Sequence, residues 1–253
     1  MDTTRHANRI ALVTGAGSGI GRATVLRLAQ EGAEVVGCDI SSAGLDGTRR
    51  ALEALGLSAE LDIADVTRQI DVDRSVAAVG PRIDLLANVA GIMDHFLPLG
   101  DMDDETWHRV LDVNLTGVRR LSRAVLPGME RNDGGAIVTV ASEASLGAGV
   151  SGTAYATSKH AVIGLVRSIA WYYAPHGIRA NAVLPGAVLT GIGTTAAPQS
   201  QWAMERAQLA MATMPPTPAE PDAIATVISW LGSDEAANVN GALVTADGGW
   251  SAA

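Results

Sequence analysis

Two residues with a clear chemical use, Tyr155 and Lys159, lie four positions apart in a stretch with helical periodicity. Side chains at this spacing share one face of a helix, so a phenol and an ammonium can converge on one site. Lys159 is the only lysine beside 17 arginines, which sets it apart from ordinary surface cations. A tyrosine with a pKa of about 10 is a poor base at neutral pH, and we expect the ammonium, together with the positive charge of a hydride acceptor, to lower that pKa by roughly three units. The pair predicts acid–base chemistry, with a solvated helix face as the alternative.

Two further polar residues complete a candidate reaction centre. Ser142 ends a buried apolar run 13 positions before Tyr155, and its hydroxyl could bond a substrate oxygen on which charge develops. Asn114 lies upstream, in the segment Asp112–Gly117. Oxidising an alcohol requires removal of its proton while a hydride leaves, which needs a base and a donor to the oxygen. We therefore expect Tyr155 and Ser142 to contact an alcohol or carbonyl substrate.

A glycine-rich turn near the N-terminus predicts where the hydride acceptor binds. The apolar run Ile10–Thr14 is typical of a strand buried on both faces, and it leads through Gly15, Gly19 and Gly21 into a helix. Without Cβ atoms the turn can approach a pyrophosphate, and the helix N-terminus favours negative charge. Asp39, about 20 residues beyond the glycines, could accept bonds from ribose hydroxyls. The turn predicts dinucleotide binding, with tight packing alone as the alternative.

Short apolar runs alternate with helical segments along the whole chain. After the first strand, further strands are expected near residues 33–38, 59–63, 83–87, 136–141, 178–184 and 242–245. This order predicts an α/β fold: a Rossmann-type, doubly wound parallel sheet of about seven strands with helices on both faces. Residues 1–253 are expected to form a single domain. The proline-containing segment at about 190–221 is expected to be a substrate lid with a short helix, and a disordered connection is the alternative.

The glycine turn and the catalytic set together resemble the short-chain dehydrogenase/reductase family, whose glycine motif is Thr-Gly-x-x-x-Gly-x-Gly. Residues 14–21 match that motif, and the resemblance extends over nearly the whole chain. It implies that Asn114, Ser142, Tyr155 and Lys159 are the catalytic residues. It also implies that Asn114 holds a water that links Lys159 to solvent.

The resemblance also implies a set of positions that contact the dinucleotide. Asp65 could contact the adenine, although it could equally be an ordinary residue near a helix N-terminus. Val89 replaces the second asparagine of the family's Asn-Asn-Ala-Gly turn, so the role of that amide is in doubt here. The implied cofactor-binding positions are Gly15, Ser18, Gly19, Ile20, Gly21, Asp39, Asp65, Val66, Asn88, Ala90, Gly91, Tyr155, Lys159, Pro185, Gly186, Val188 and Thr190.

The residues around the second strand favour NAD over NADP. In the family, enzymes that use NADP commonly carry a basic residue just before the second motif glycine or just after the second strand. This chain has Ser18 and Ile40 at those positions. The carboxylate of Asp39 would repel a 2′-phosphate in addition. We therefore expect NAD to be the cofactor.

The expected walls of the substrate pocket are mostly apolar, which favours a hydrophobic secondary alcohol or ketone over a sugar or a carboxylic acid. Glu143 could pair with a polar group of the substrate or could bond the backbone near a turn. His95 could face the pocket, but a loop histidine is more often exposed to solvent. The residues expected in these walls are Met93, His95, Glu143, Leu146, Leu189, Ile192, Trp202, Met204 and Met211.

Composition excludes several other classes of protein. A formal net charge of -9 disfavours nucleic acid as a partner, and we expect no metal. The lone Cys38 cannot form an internal disulfide, and the polar opening residues lack the apolar core of a secretory signal, which points to the cytoplasm. Residues 161–174 are too few to span a bilayer and are expected to form a buried helix, so no membrane partner is predicted.

Two other functions remain as alternatives at this stage. One is an NADPH-dependent 3-oxoacyl-carrier-protein reductase of the same fold, and the other is a catalytically silent regulator that binds a dinucleotide. Asp39, Ser18 and the acidic composition count against the first, and the four catalytic positions count against the second. The resemblance further implies a homotetramer, with helices around 104–129 and 153–173 packing across a two-fold axis. Burial of these helices inside one subunit would explain their apolar content equally well.

Overall fold

A single sheet of seven parallel strands forms the centre of the protein. The computed structural model describes residues 4–192, 197–215 and 217–252, and the strands in these ranges pair in the order β3-β2-β1-β4-β5-β6-β7. Each strand expected from the sequence overlaps an observed one, which confirms the doubly wound α/β fold. The strands are β1 (Ile10–Thr14), β2 (Glu34–Asp39), β3 (Glu60–Ile63), β4 (Leu85–Asn88), β5 (Gly135–Val140), β6 (Ile178–Pro185) and β7 (Leu243–Ala246).

Helices cover both faces of the sheet and bury it in two apolar layers. Side chains such as Val25 and Ile228 belong to one layer, and Leu121 and Val166 belong to the other; all four are fully buried or nearly so. The helices are α1 (Gly19–Gln30), α2 (Ser42–Glu53), α3 (Gln69–Val79), α4 (Asp104–Leu111), α5 (Val118–Arg131), α6 (Thr153–Tyr173), α7 (Gln201–Met211) and α8 (Pro221–Gly232). Helices α1, α2 and α8 contribute to the first layer, and α3, α5 and α6 contribute to the second.

The strand order brings the candidate functional residues to one edge of the sheet. The order reverses between β1 and β4, and in such sheets a crevice forms at the carboxyl ends of these strands. Thr14 ends β1, Asp39 ends β2 and Ser142 follows β5, so the glycine turn and the reaction centre share this edge.

The stretch around residues 104–129 is not one regular helix. A π-helical turn over Asp112–Gly117 separates α4 from α5 and contains the buried Asn114. A π turn inserts one extra residue into the helical repeat and changes the direction in which its side chains project. The sequence analysis did not predict the π turn, because this insertion leaves no simple mark in the apolar pattern.

The segment at about 190–221 contains α7, which is the short helix expected there. Residues 193–196 and 216 of this segment lie outside the described residues. Helix α6 buries one side, including Val162 and Val166, while Trp171 and Tyr172 near its end are 79% and 71% exposed. Within the described ranges no helix is both long enough and apolar enough to cross a membrane.

A buried polar cluster fastens the segment before β1 to helices α1 and α8. His6 is 1% exposed, and its Nε2 lies 3.2 Å from the carbonyl oxygen of Ser229. The Ser229 hydroxyl donates to Glu31, whose carboxylate also pairs with Arg5 at 3.4 Å. Burial, with the charges of Arg9 and Arg5, lowers the pKa of His6 to about 4. The histidine is therefore neutral in the folded protein at neutral pH.

We expect His6→Gln to flatten the acid side of the stability profile. The unfolded histidine binds a proton with a pKa near 6.5 and the folded one with a pKa of about 4. Wild-type stability is thus complete above pH 6.5 and falls as the pH drops towards 4, by about 3 kcal/mol. Glutamine takes up no proton, so the free energy of unfolding should change less over this range.

Urea denaturation at several pH values measures this difference. His176→Gln, which removes an exposed histidine, is the matched control and should keep the wild-type slope. Identical slopes for His6→Gln and wild type would contradict the assignment.

Candidate active site

Tyr155, Lys159 and Ser142 come together at the carboxyl edge of the sheet. Tyr155 and Lys159 lie one turn apart on the buried side of α6 and are 8% and 4% exposed. The Lys159 Nζ lies 5.5 Å from the centre of the Tyr155 ring and donates to the carbonyl oxygen of Val140 at 2.9 Å. The Ser142 side chain hydrogen-bonds Tyr155 and accepts from the N–H of Ala144 at 3.1 Å. This arrangement can hold an oxygen between two hydroxyl groups with an ammonium behind them.

The side chain of Asn114 is fully engaged inside the protein. Its Oδ1 accepts from the N–H of Ile92 at 2.9 Å, and its Nδ2 donates to the carbonyl oxygen of Ile92 and to Ser158. The Ser158 hydroxyl donates in turn to the carbonyl oxygen of Tyr155 at 2.7 Å. Asn114 thus joins the π turn to the loop after β4 and to α6. The water link from Asn114 to Lys159 stays a prediction.

The lowering of the Tyr155 pKa by Lys159 together with a bound nicotinamide stays a prediction. Burial raises the pKa of Tyr155 to about 12, opposed by a hydrogen bond from Ser142 and assisted by the charge of Asp94. Burial also lowers the pKa of Lys159 to about 8. Burial thus shifts each pKa towards the neutral form, although a pKa of about 8 leaves Lys159 mostly protonated at neutral pH. The first proton is therefore lost from the pair near pH 8.

The glycine turn fits the phosphates of a dinucleotide. Gly15 and Gly19 have φ angles of +71° and +49°, and a Cβ at Gly21 would overlap the carbonyl oxygen of Gly15. Helix α1 starts after Ser18, whose side chain makes no capping bond, and its first turn has no acidic residue. Ile20 packs against the apolar layer below. The uncapped N–H groups and the missing side chains leave a cradle suited to a pyrophosphate.

Asp39 lies at the lip of this cradle. Its Oδ2 accepts from the N–H of Gly17 at 2.9 Å, and its Oδ1 accepts from the N–H of Ser41 at 2.8 Å. A Cβ at Gly17 would lie 2.8 Å from the carboxyl carbon of Asp39, so the glycine turn and the end of β2 approach each other closely here. Each carboxylate oxygen keeps a further lone pair, which a ribose hydroxyl could use. Ile40 next to it is 72% exposed.

Arg22 belongs to the same region, and the sequence analysis missed it. Its guanidinium donates to the carbonyl oxygens of Gly17 and Gly44 and to the hydroxyl of Thr48. These bonds fasten the glycine turn to α2. Because Nε and Nη2 bond neutral groups on both segments, Arg22 acts as a clamp on the turn. Its place directly after Gly21, the last motif glycine, was the only clue in the sequence.

The positions assigned to the adenine are built into the loop after β3. Asp65 Oδ1 accepts from both the N–H and the hydroxyl of Thr67, at 2.8 and 2.7 Å. Asp65 thus stabilises a local turn four residues before α3, which agrees with its alternative role as an ordinary residue near a helix N-terminus. The side chain of Val66 faces Gly117 of the π turn, where an added Cβ would lie 2.8 Å from it. An adenine contact by Asp65 would use its second oxygen.

The side chain of Asn88 faces the interior. Asn88 is 2% exposed, and its Nδ2 donates to Ser122 at 3.3 Å and to Thr139 at 3.4 Å. It joins the end of β4 to α5 and β5. A contact between Asn88 and a cofactor would therefore use its backbone.

The turn after β4 is fixed to the turn after β1. The hydroxyl of Thr14 accepts from the N–H groups of Val89 and Ala90, both at 3.0 Å. A Cβ on Gly91 would lie 3.6 Å from the Nζ of Lys159. The floor of the crevice is thus continuous from the glycine turn to Lys159.

The segment after β6 closes the crevice from the other side. Pro185 ends β6 and Gly186 follows it, while Val188 bridges to Ala219. The side chain of Thr190 comes within 3.0 Å of the position a Cβ would take on the second motif glycine. These residues are placed where a group bound along the crevice would contact them.

Glu143 could either pair with the substrate or bond the backbone near a turn, and its Oε2 makes no bond to the described backbone. Its Oε2 is buried without a hydrogen-bond partner among the described residues, and the same holds for the hydroxyl of Ser145. Burial, with a smaller effect of the nearby Asp247, raises the pKa of Glu143. Two unsatisfied polar groups directly after Ser142 are what a binding site for a polar substituent would leave free.

The other residues expected in the pocket walls do not all meet. Met93 packs in the small apolar cluster around Tyr155. Trp202 is 61% exposed and lines a separate cleft of about 690 Å³ between α7, α6 and the loop at Phe96. Neither Ser142 nor Tyr155 lines this cleft. Leu189 lines another cleft, beside α1. The remaining wall residues, Leu146, Ile192, Met204 and Met211, are exposed or half-buried.

His95 turns towards the lid segment. Its ring Nδ1 lies 3.3 Å from the carbonyl oxygen of Ala197. In the described residues no three histidine, cysteine, aspartate or glutamate side chains come together to hold a metal ion.

A family model described as enoyl-(acyl carrier protein) reductase matches residues 15–251. The chain is 40% identical to 3β-hydroxysteroid dehydrogenase 2 of Eggerthella lenta, with all of both chains covered. It is 38% identical to the short-chain dehydrogenase/reductase cdmF of Talaromyces verruculosus, with 96% of each chain covered. The chain therefore belongs to the short-chain dehydrogenase/reductase family and is an oxidoreductase.

Solved structures agree with this assignment. The fold matches that of levodione reductase with a TM-score of 0.90 and 35% identity, over 98% of this chain and 100% of the other. A short-chain dehydrogenase of Mycobacterium paratuberculosis bound to NAD matches with a TM-score of 0.88 and 32% identity over 98% and 100% of the chains. A structure described as an NAD(P)-dependent gluconate 5-dehydrogenase of Beutenbergia cavernae holds NADP at low occupancy; it matches at 0.88 and 35% over the whole of both chains. Nicotinamide dinucleotides of both kinds thus occur among the structural neighbours.

We expect Lys159→Arg to lower the rate of alcohol oxidation by at least about thirtyfold near neutral pH. Lys159 Nζ lies between Val140 and Gly91, where a broad guanidinium needs more room and spreads its charge over a larger group than the ammonium does. In wild type, kcat/KM should rise with an apparent pKa near 8. In the variant this step should move to higher pH.

Profiles of kcat/KM between pH 6 and 11 test this point, and Tyr155→Phe should be nearly inactive throughout. Arg167→Lys, an exchange of the same two side-chain types on the exposed side of α6, is the control and should leave the profile in place. A Lys159→Arg enzyme with an unshifted profile would remove Lys159 from the mechanism.

Proposed function

We propose that the protein is an NAD(H)-dependent dehydrogenase or ketone reductase that acts on a largely hydrophobic secondary alcohol or ketone. The observation that carries the proposal is the convergence of Ser142, Tyr155 and Lys159 at the same edge of the sheet as the glycine turn and Asp39. One end of this crevice suits the adenosine and phosphates, and the other suits a carbinol. A nicotinamide placed between them would accept or supply the hydride.

The residues of the chain have separate tasks in this proposal. Ser142 donates to the substrate oxygen, and Tyr155 takes the hydroxyl proton during oxidation and returns it during reduction. Lys159 keeps its proton, and its ammonium stabilises the Tyr155 phenolate from which the step starts. Asn114 fixes the loop after β4 and α6 relative to each other. The proton of the alcohol thus passes to the protein, while the hydride leaves with its electron pair.

The environment of Asp39 supports NAD as the cofactor. The two oxygens of its carboxylate face the N–H groups of Gly17 and Ser41, and an added 2′-phosphate would meet this negative charge. Arg22, the guanidinium nearest the turn, is held by carbonyl oxygens of the protein. A ribose diol is therefore the better partner for this site.

The relative named 3β-hydroxysteroid dehydrogenase 2 supports a rigid, polycyclic secondary alcohol as one member of the substrate class. The cluster around Tyr155 includes Met93 and Trp107 and is apolar. Glu143 adds one polar group next to Ser142. We therefore propose a hydrophobic substrate with a second polar substituent beyond the carbinol.

The second candidate is reduction of a carrier-bound substrate, which the description of the matching family model favours. Such an enzyme would need a basic face for an acidic carrier, and the chain has a net charge of -9. The silent regulator would not need the buried Lys159 and Tyr155. Both remain outcomes of the test below.

A substrate panel assayed with NAD(H) and NADP(H) tests the proposal. It should include 3-hydroxysteroids, cyclic ketones, short secondary alcohols and an acetoacetyl thioester, each also with Tyr155→Phe. We expect turnover of the hydrophobic alcohols with NAD and none with the variant. Preference for the thioester with NADPH would favour the second candidate, and no turnover of any substrate would favour the regulator.

We expect the double variant Asp39→Ser, Ile40→Arg to change the cofactor preference from NAD towards NADP. The exchange removes the carboxylate that repels the 2′-phosphate and adds a guanidinium at an exposed position. Two charge interactions change, the loss of a repulsion and the gain of an attraction. If each is worth about tenfold, the ratio of kcat/KM for the two cofactors should shift by on the order of a hundredfold. Ile70→Arg, at another exposed isoleucine, controls for added positive charge. Comparable wild-type values for NAD and NADP would contradict the NAD assignment.

We expect Glu143→Gln to affect substrates according to their polar groups. If the carboxylate faces the substrate, an amine or hydroxyl near the carbinol loses a charge-assisted bond, and kcat/KM should fall by about tenfold or more. Substrates without such a group should be turned over as before. Glu105→Gln, on the surface of α4, is the control. Equal losses for both kinds of substrate would assign Glu143 a structural role.

We also propose a homotetramer, as implied by the family. The exposed Trp171 and Tyr172 on α6 support an interface there, because large exposed aromatic side chains are enriched at contacts between subunits.

A further inference from the structure

Asp94 is a fully buried acid that none of the steps above uses. It lies in the loop after β4 and is 0% exposed. Its Oδ1 accepts from the N–H of Gly152 at 3.1 Å, and its Oδ2 accepts from the N–H of Tyr155 at 2.8 Å. The carboxylate therefore binds the first turn of α6 and touches the backbone of the residue assigned as acid and base.

Helix α6 depends on this side chain for its cap. Gly152 occupies the N-cap position and has no side chain that could bond the free N–H groups of the first turn. A Cβ at Gly152 would lie 2.6 Å from the carboxyl carbon of Asp94, so glycine also makes room for the carboxylate. The N–H of Thr153 donates to the carbonyl oxygen of Leu97 at 2.9 Å. The whole cap thus comes from the segment 94–97.

The same segment also contacts the chain before α7. His95 and Phe96 both have a φ of 57°, a backbone conformation that side chains with a Cβ rarely adopt. The carbonyl oxygen of His95 accepts from the N–H of Gln199 at 3.2 Å, and its ring approaches Ala197. Two consecutive strained residues persist only where the surroundings fix them. The segment is fixed on one side by α6 and on the other by the lid segment.

We propose that Asp94 is a positioning residue for Tyr155: by capping α6 from the loop after β4, it holds the phenol against Ser142 and joins this turn to the lid segment. The proposal rests on the proposed function, in which Tyr155 is the acid and base. A cap that merely stabilised α6 would leave the rate per folded molecule unchanged. A positioning cap must change the rate and its pH dependence.

The charge of Asp94 gives the proposal a distinctive effect. Tyr155 meets Ser142 from the turn after β5, Lys159 on its own helix and Asp94 from the loop after β4. The α4 residues in the apolar cluster around it, Val110 and Trp107, carry no charge. Burial raises the pKa of Asp94, while the N–H groups of Tyr155 and Gly152 favour the carboxylate. Its negative charge in turn disfavours the phenolate. Removing the charge should therefore make the phenol more acidic.

Two variants separate position from charge. Asp94→Ala leaves two buried N–H groups without an acceptor and should lower kcat by about tenfold to a hundredfold, with a smaller change in KM. Asp94→Asn keeps the shape and one acceptor oxygen, so it should recover much of that loss. Both variants should move the rise of kcat/KM for oxidation to lower pH, by roughly half a unit. A lower plateau that is reached at lower pH is the expected signature.

An absorbance titration of the phenolate provides a readout without turnover. The chain has three tyrosines, so Tyr155→Phe gives the signal of Tyr172 and Tyr173 to be subtracted. The remaining Tyr155 signal should appear at lower pH in Asp94→Asn than in wild type. Asp103→Asn is the matched control, because Asp103 also caps a helix, α4, through the N–H of Thr106. It is exposed and makes no bond to Tyr155. It should leave kcat and both titrations unchanged.

The outcomes separate this proposal from the proposed function. Folded Asp94 variants with wild-type kcat and wild-type titrations, even if less stable to heat, would overturn the positioning role. If Asp94→Ala does not fold, Asp94→Asn decides by the same two measurements. An active Tyr155→Phe would instead refute the proposed function.

Discussion

The site depends on an ammonium that is held inside the protein. Lys159 is 4% exposed, and its Nζ donates to the carbonyl oxygen of Val140, the last residue of β5. Because a buried charge is costly, its pKa falls to about 8. The same burial raises the pKa of Tyr155 to about 12, so a phenolate at this position needs a positive charge beside it.

This constraint explains several features of the scaffold that are not themselves reactive. The turn after β4 must approach Lys159 closely, and Gly91 allows it. The π turn brings the amide of Asn114 to the backbone of Ile92 and to Ser158, which fixes the distance between this turn and α6. Parallel strands then place all of these groups at one edge of the sheet. The polar side chains that fix the geometry, Asn114 and Asp94, have their hydrogen bonds satisfied by the protein.

Local patterns in the sequence were sufficient for the fold and for the residues at the centre of the site. Alternating apolar runs predicted the parallel sheet, and the spacing of Tyr155 and Lys159 predicted that they share a face of α6. Features that depend on burial or on distant contacts could not be predicted in this way. The effect of burial on the pKa of Tyr155 is one example, because desolvation cannot be assessed before the packing is known. Trp202 was placed in the pocket, whereas α7 carries it to a neighbouring cleft.

Asp94 shows why contacts between distant segments escape sequence analysis. It is separated by 61 residues from the N–H that it binds, and an aspartate in a loop has no periodic pattern to identify it. The indication lay in what α6 lacks: Gly152 supplies no capping side chain, so an acceptor had to come from another segment. Buried groups that lack a partner carry the same kind of information. Near Ser142 these are the Oε2 of Glu143 and the hydroxyl of Ser145, which no described residue bonds, and this marks them as positions where a partner from outside the chain could bind.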